Sequence, residues 1–187
     1  MKTTFSVLCG LGCWWLGGGV MAMAGDGTAT PAAPVRVGIY DSRAVAYAHF
    51  WSESCQSKLK EQMAAARTAK QAGDTARFKE LDATLRQTQD QLHREVFSTA
   101  PATDAMAAIK DKIPEIEKQA GVTVLVSKWD DQMLKQYRDA EKVDVTDRLV
   151  HEFIQPTAQQ QKVLFEMQKQ KPLPLDKCNE LIRKNEI

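Results

Sequence analysis

The chain reads as an α+β protein, with a small β-sheet body, a protruding antiparallel, coiled-coil-like helical hairpin, and C-terminal helices. Three observations predict this. Val35-Arg36-Val37-Gly38-Ile39-Tyr40 alternates apolar side chains with period 2, and Val122-Thr123-Val124-Leu125-Val126 is a second run of high β propensity. Between them, residues 42–120 are rich in Ala, Gln, Lys, Glu and Leu and hold hardly a β-branched run, which reads as helix. With 187 residues, 43% hydrophobic and 26% charged, the composition is that of a globular chain and excludes wholesale disorder. The balance of 25 Lys+Arg against 24 Asp+Glu leaves no electrostatic footprint for nucleic acid, and 7% aromatics leave little for a cofactor box.

Residues 1–24 are expected to be a cleaved signal peptide. Lys2 gives a weakly positive start, residues 5–20 form an apolar run, and Ala22-Met23-Ala24 puts small residues at both recognition positions of a signal peptidase. The run is interrupted by glycines and is short for a membrane span, although a retained anchor is the alternative. Gly10-Leu11-Gly12-Cys13 lacks the apolar residue that a lipidation site carries three positions before its cysteine. Removing residues 1–24 takes away one lysine and no acid, so the exported chain carries 24 basic and 24 acidic side chains and is formally neutral. Residues 25–34, with Thr28, Thr30, Pro31 and Pro34, have no apolar periodicity and read as a flexible leader.

The first strand, with Val35, Val37 and Ile39 on one side, stops at Asp41-Ser42, a helix-capping pair. In the helical stretch Phe78, Leu81, Leu85 and Leu92 fall at heptad positions, and Met106, Ile109, Ile113, Ile116 and Ala120 step by 3, 4, 3 and 4. Both rows predict narrow seams between paired helices. Trp51, Cys55, Leu59 and Met63 step by 4 and form a weaker stripe. Ala72-Gly73-Asp74 and Ser98-Thr99-Ala100-Pro101 are stop signals, and either is eligible as the hairpin tip; Pro114 marks a kink or a later helix start. Gly121 ends the helices before the second strand. Residues 128–142 suit a third strand as well as a short helix. Val143-Asp144-Val145-Thr146-Asp147 then predicts an extended piece with Thr146 as cap of a helix whose apolar face is Leu149, Val150 and Phe153. The chain closes with a helix, the breakers Pro172 and Pro174, and a last helix containing Cys178.

Export implies an oxidising compartment, so Cys55 and Cys178 are expected to form a disulfide worth on the order of 4–5 kcal/mol in loop entropy. Two separate buried or interchain thiols are the alternative. His49, His93 and His151 lie in different segments without metal-ligand spacing, and no nucleophile and base stand at recognisable spacing, so no catalytic, cofactor or metal site is expected. Lys58, Lys60, Arg67 and Lys70 form a basic set on the first long helix, read as a solvated face or as contacts to an acidic partner. Trp51 and Trp129 sit where helix or strand meets the body and read as core, interface or binding surface.

The order of elements resembles the Skp (OmpH-like) family of periplasmic chaperones over residues 35–156. The likeness is carried by Val37-Gly38-Ile39-Tyr40-Asp41-Ser42-Arg43, by Gly121-Val122-Thr123-Val124-Leu125-Val126, and by Val143-Asp144-Val145-Thr146-Asp147. It implies a body made of residues 35–50 and 121–156, an arm of residues 51–120, and a tail of residues 157–187 without counterpart in the family. It further implies a periplasmic homotrimer that holds unfolded outer-membrane or periplasmic proteins between its arms, without active site, cofactor, nucleic acid or stable membrane insertion. Affinity in such a cage comes from many weak contacts. The neutral charge, where the family's chaperones are basic, and the shortened arm favour a second expectation: a periplasmic scaffold or adaptor that binds one folded partner through arm and tail.

Overall fold

A strand from Arg36–Tyr40, β1, is central in the computed structural model, which describes residues 35–187. The expected signal peptide (1–24) and leader (25–34) lie outside the described residues. β1 is flanked by β2 (Leu125–Ser127) and β3 (Glu141–Asp144) in the order β2-β1-β3. Both pairings are parallel. Gly38, Ile39 and Tyr40 face Leu125, Val126 and Ser127, while Arg36, Val37, Gly38 and Ile39 face Glu141, Lys142, Val143 and Asp144.

Parallel strands need crossovers. The first holds α1 (Ser42–Trp51), α2 (Glu53–Gln71), α3 (Thr75–Phe97), α4 (Thr103–Ala108) and α5 (Ile113–Ala120), and the second holds the short α6 (Asp131–Gln136). α7 (Thr146–His151), α8 (Ala158–Lys169) and α9 (Leu175–Lys184) follow β3. The ambiguous residues 128–142 thus divide into a helix and the start of a strand.

Alternation along β1 sends Val37 and Ile39 to one face and Gly38 and Tyr40 to the other. The first face, with Val126, is covered by Met133, Leu134 and Tyr137 from α6 and its flank. The second carries the larger core: Tyr40 packs with Val45 of α1, Val96 of α3, Ala105 of α4, Ile116 of α5, and Val145 and Leu149 at α7. Coverage on both faces is what short parallel strands require. Gly38 sits where the layers close. A Cβ there would lie 2.7 Å from Leu125 Cδ2 and 3.1–3.2 Å from methyls of Val122 and Val145.

Local chemistry sets the helix ends. Asp41 caps α1 by accepting from the Arg43 N–H, Ser52 caps α2 through the Cys55 N–H, and Asp74 caps α3 through the Arg77 N–H. Gly73 turns the chain between α2 and α3 at φ 73°, and Gly121 ends α5 at φ 65°, left-handed conformations that favour glycine. Pro114 lies in the first turn of α5, where its missing N–H is tolerated. α8 opens with a reciprocal capping box between Thr157 and Gln160.

Three expectations need correction. Residues 96–120 do not belong to an arm: Val96, Ala102, Ala105, Ile109 and Ile116 are buried in the core under the sheet. A 3-and-4 spacing specifies an apolar stripe but not its partner. With Pro101 and Pro114 cutting the chain into the six-residue α4 and eight-residue α5, the stripe is too short for a coiled-coil seam and turns onto β1. Thr146 is not a cap; Asp144 Oδ1 accepts the Thr146 N–H at 2.9 Å, which frees the Thr146 hydroxyl for another role. Val35 is exposed and precedes the strand.

α2 and most of α3 bury little. Ala66, Ala69 and Leu81, with Phe78 and Leu85, form a small cluster next to the Gly73 turn. The last turn of α3 enters the body. The tail 157–187 folds back onto it: α8 packs on α1 and α9 on α3, and an isolated parallel bridge joins Ser98 to Leu173, with the Thr99 N–H donating to the Leu173 carbonyl at 2.9 Å.

Candidate functional site

In open parallel sheets the ends of the strands gather polar groups, and Asp41 follows β1 there. Its Oδ1 accepts from the Arg43 N–H at 3.1 Å, from Arg43 Nε at 3.2 Å and from Trp129 Nε1 at 3.1 Å; its Oδ2 accepts from Arg43 Nη2 at 2.9 Å. The Arg43 guanidinium stacks 4.9 Å from the Trp129 ring centroid, and its Nη2 also donates to the Met167 carbonyl of α8 at 3.0 Å. The Asp41 N–H donates to the freed Thr146 hydroxyl at 3.0 Å, and Ser42 Oγ donates to the Ala100 carbonyl at 3.0 Å. Side-chain exposures of 3% for Arg43 and 1% for Asp41 put the ion pair out of water. Both carboxylate oxygens are engaged, so the cluster acts as a clamp joining β1, α7, α8 and the loop after β2.

Arg43 also borders an open groove of about 800 Å³ between α1, the end of α3, α8 and the residues that follow α9. Its floor is apolar, with Tyr47, Val96, Met167 and Leu173. Three exposed apolar side chains line it: Phe97 is 46% exposed, and Val163 and Ile187 are each 37% exposed. Lys162, Glu166 and Lys171 border it.

A second set of titratable groups lies where α1, α2, α3 and α4 meet. Burial pushes the Glu95 carboxyl above its ordinary range, against the opposing effect of hydrogen bonds from Gln91 Nε2 at 2.8 Å and from the Asp104 and Thr103 N–H groups. Burial also lowers the His49 imidazole and raises the Cys55 thiol. A carboxyl held high by folding stabilises the fold below its unfolded pKa, and that contribution is lost as pH rises through the folded value. Glu95→Gln, which mimics the protonated acid, is therefore expected to match the wild type in urea melts near about pH 4 and to exceed it at neutral pH. Equal midpoints at both pH values would contradict the assignment.

The structure disperses the residues singled out from the sequence. Trp129 joins the clamp, whereas Trp51 is half-buried against Tyr47, ring centroids 4.2 Å apart, in the cluster of Ala44, Ala48, Val150 and Leu164. Lys58, Lys60, Arg67 and Lys70 are exposed along α2, with Lys70 Nζ 5.5 Å from the Phe78 ring centroid. Cys55 and Cys178 are free thiols and do not form the expected disulfide. Cys178 is fully buried in α9, its Sγ donating to the His93 carbonyl at 3.7 Å, while Cys55 is half-buried in the first turn of α2. An even cysteine count cannot say which surfaces the helices turn toward each other.

Arg43, Phe97 and Val163 were not picked out. One signal pointed to Arg43: a cation in the first turn of a helix opposes the macrodipole, so an arginine following Asp41-Ser42 calls for a nearby anion. Among the described residues no three His, Cys, Asp or Glu side chains have metal-binding spacing, and no helix is long and apolar enough to cross a membrane. No family model, no curated protein and no solved structure matches the chain.

Proposed function

We propose that the protein is an exported, non-enzymatic holdase of Skp type, acting in the periplasm as a homotrimer on unfolded envelope or outer-membrane proteins. In this reading α2 and α3, as far as about Leu92, are an antiparallel two-helix arm that projects from the sheet. One observation carries it: β1 pairs with β2 across the whole helical excursion, while α2 and most of α3 bury only the Ala66, Ala69 and Leu81 cluster. Helices this wet contribute little to the core, and their surface is left for other chains. The basic set Lys58, Lys60, Arg67 and Lys70 lies on that arm, and the reading needs no cofactor.

The test joins solution mass with aggregation of a urea-unfolded outer-membrane protein on dilution. A trimer that suppresses light scattering near stoichiometric amounts is the expected result. A monomer that leaves scattering unchanged removes the holdase.

A second reading has its own support. α8 and α9 are fixed to α1 and α3, and the buried Arg43 clamp fastens α8; such a rigid surface suits a scaffold or adaptor for one folded partner. Recovery of a single folded protein at fixed stoichiometry, with no effect on aggregation, would favour it.

A further inference from the structure

We infer that the groove between α1, the end of α3 and α8 binds an extended peptide segment whose apolar side chains are flanked by carboxylates. The inference deepens the holdase reading, and rests on it for the source of the segment, by adding a client contact on the body and tail to the surface of the arm.

The floor supplies the apolar half of the argument. Phe97 and Val163 stand exposed beside Tyr47 and Met167, and about 800 Å³ is a volume in which several side chains fit. α8 supplies the polar half. Gln159, Lys162, Glu166 and Gln170 step by 3, 4 and 4 along its edge of the groove. The two amides match peptide N–H and C=O groups. Charge then selects the ligand. Glu166 is paired with Lys169 at 3.0 Å and Arg43 with Asp41 at 2.9 Å, whereas Lys162 and Lys171 have no ion-pair partner among the described residues. The groove therefore presents two cations without a direct ion pair beside an apolar floor, and its complement is a carboxylate on either side of a hydrophobic run. Extended backbone already lies at this edge, where the Leu173 N–H donates to the Phe97 carbonyl at 2.9 Å.

The test is fluorescence anisotropy with a short fluorescein-labelled peptide of alternating Phe, Leu and Ser, flanked by Glu, against the same peptide flanked by Lys. Wild type is expected to bind the Glu peptide about tenfold more tightly. Phe97→Ser with Val163→Ser is expected to weaken both peptides by about tenfold or more, and both sites are exposed enough for the melting temperature to hold. Lys162→Glu with Lys171→Glu is expected to reverse the preference. Equal binding of the two peptides, or binding indifferent to both pairs of substitutions, overturns the inference. So does a solution mass that falls on Phe97→Ser while peptide binding stays the same, because a second copy is then the occupant. Peptide binding without suppression of aggregation keeps the groove and removes the holdase; suppression retained alongside peptide binding that ignores the substitutions removes the groove alone.

Discussion

Arg43→Ala is expected to destabilise the fold by about 3–5 kcal/mol, the largest effect of any single side chain considered. The substitution leaves Asp41 charged and 1% exposed, with its strongest partner gone. Two hydrogen bonds remain to it, from the residue 43 N–H and Trp129 Nε1, and they do not neutralise a buried charge. The loss is compounded because Arg43 Nη2 also holds the Met167 carbonyl, so α8 loosens as the ion pair is lost. Urea unfolding followed by circular dichroism gives the number. A double variant, Asp41→Asn with Arg43→Met, removes both charges while leaving an amide oxygen to cap α1 and accept from Trp129 Nε1, and is expected to cost less than Arg43→Ala alone, since desolvation of the pair offsets much of its attraction. An Arg43→Ala protein with wild-type midpoint would show that the clamp is not closed in solution.

Leu149→Ala is expected to cost about 2–5 kcal/mol. Leu149 is fully buried where α7 meets Tyr40, Val45, Ile109 and Ile116, so the missing methyl groups leave a cavity that the surrounding layers, fixed by the sheet, do not collapse to fill. Leu85 is the control. It is half-buried against Ala66, Ala69 and Leu81, and a Leu85→Ala change loses contact on one side only, about 1 kcal/mol. Paired urea melts give the ratio. If both substitutions cost the same, stability is shared evenly between the α2–α3 segment and the body, contrary to the burial that distinguishes them.

Strand periodicity and capping residues carried most of what was legible in advance. The alternation in Val37-Gly38-Ile39 and the caps Asp41 and Asp74 lie where sequence periodicity and side-chain hydrogen bonding place them, whereas of the run 122–126 only Leu125 and Val126 enter β2, which extends on to Ser127. The partner of each apolar face was not legible. Met106, Ile109 and Ile116 have the spacing of a seam, yet the choice between a second helix and a sheet depends on where Pro101 and Pro114 aim the chain. The groove was invisible for a similar reason. Phe97 and Val163 lie in different helices, and neither belongs to a local pattern; the packing of α8 on α1 and the bridge from Ser98 to Leu173 bring them to one surface. Arg43 lies only two positions after Asp41, but Trp129 and Met167 complete the clamp from far along the chain.

The placement of β1 between its two neighbours has a kinetic consequence. Among the described residues it is the earliest strand and the central one, and both flanking strands arrive late: Arg36 and Glu141, ion-paired across the β1–β3 edge, are 105 positions apart. Ordering so long an intervening loop precedes any return from the pairing, which makes assembly of the sheet slow relative to helix formation. During synthesis, the apolar face of Val37 and Ile39 therefore travels uncovered, and both edges of β1 unpaired, until the last crossover is complete. A protein built this way is itself prone to aggregate while young, and its yield should depend on how quickly residues 141–144 reach β1.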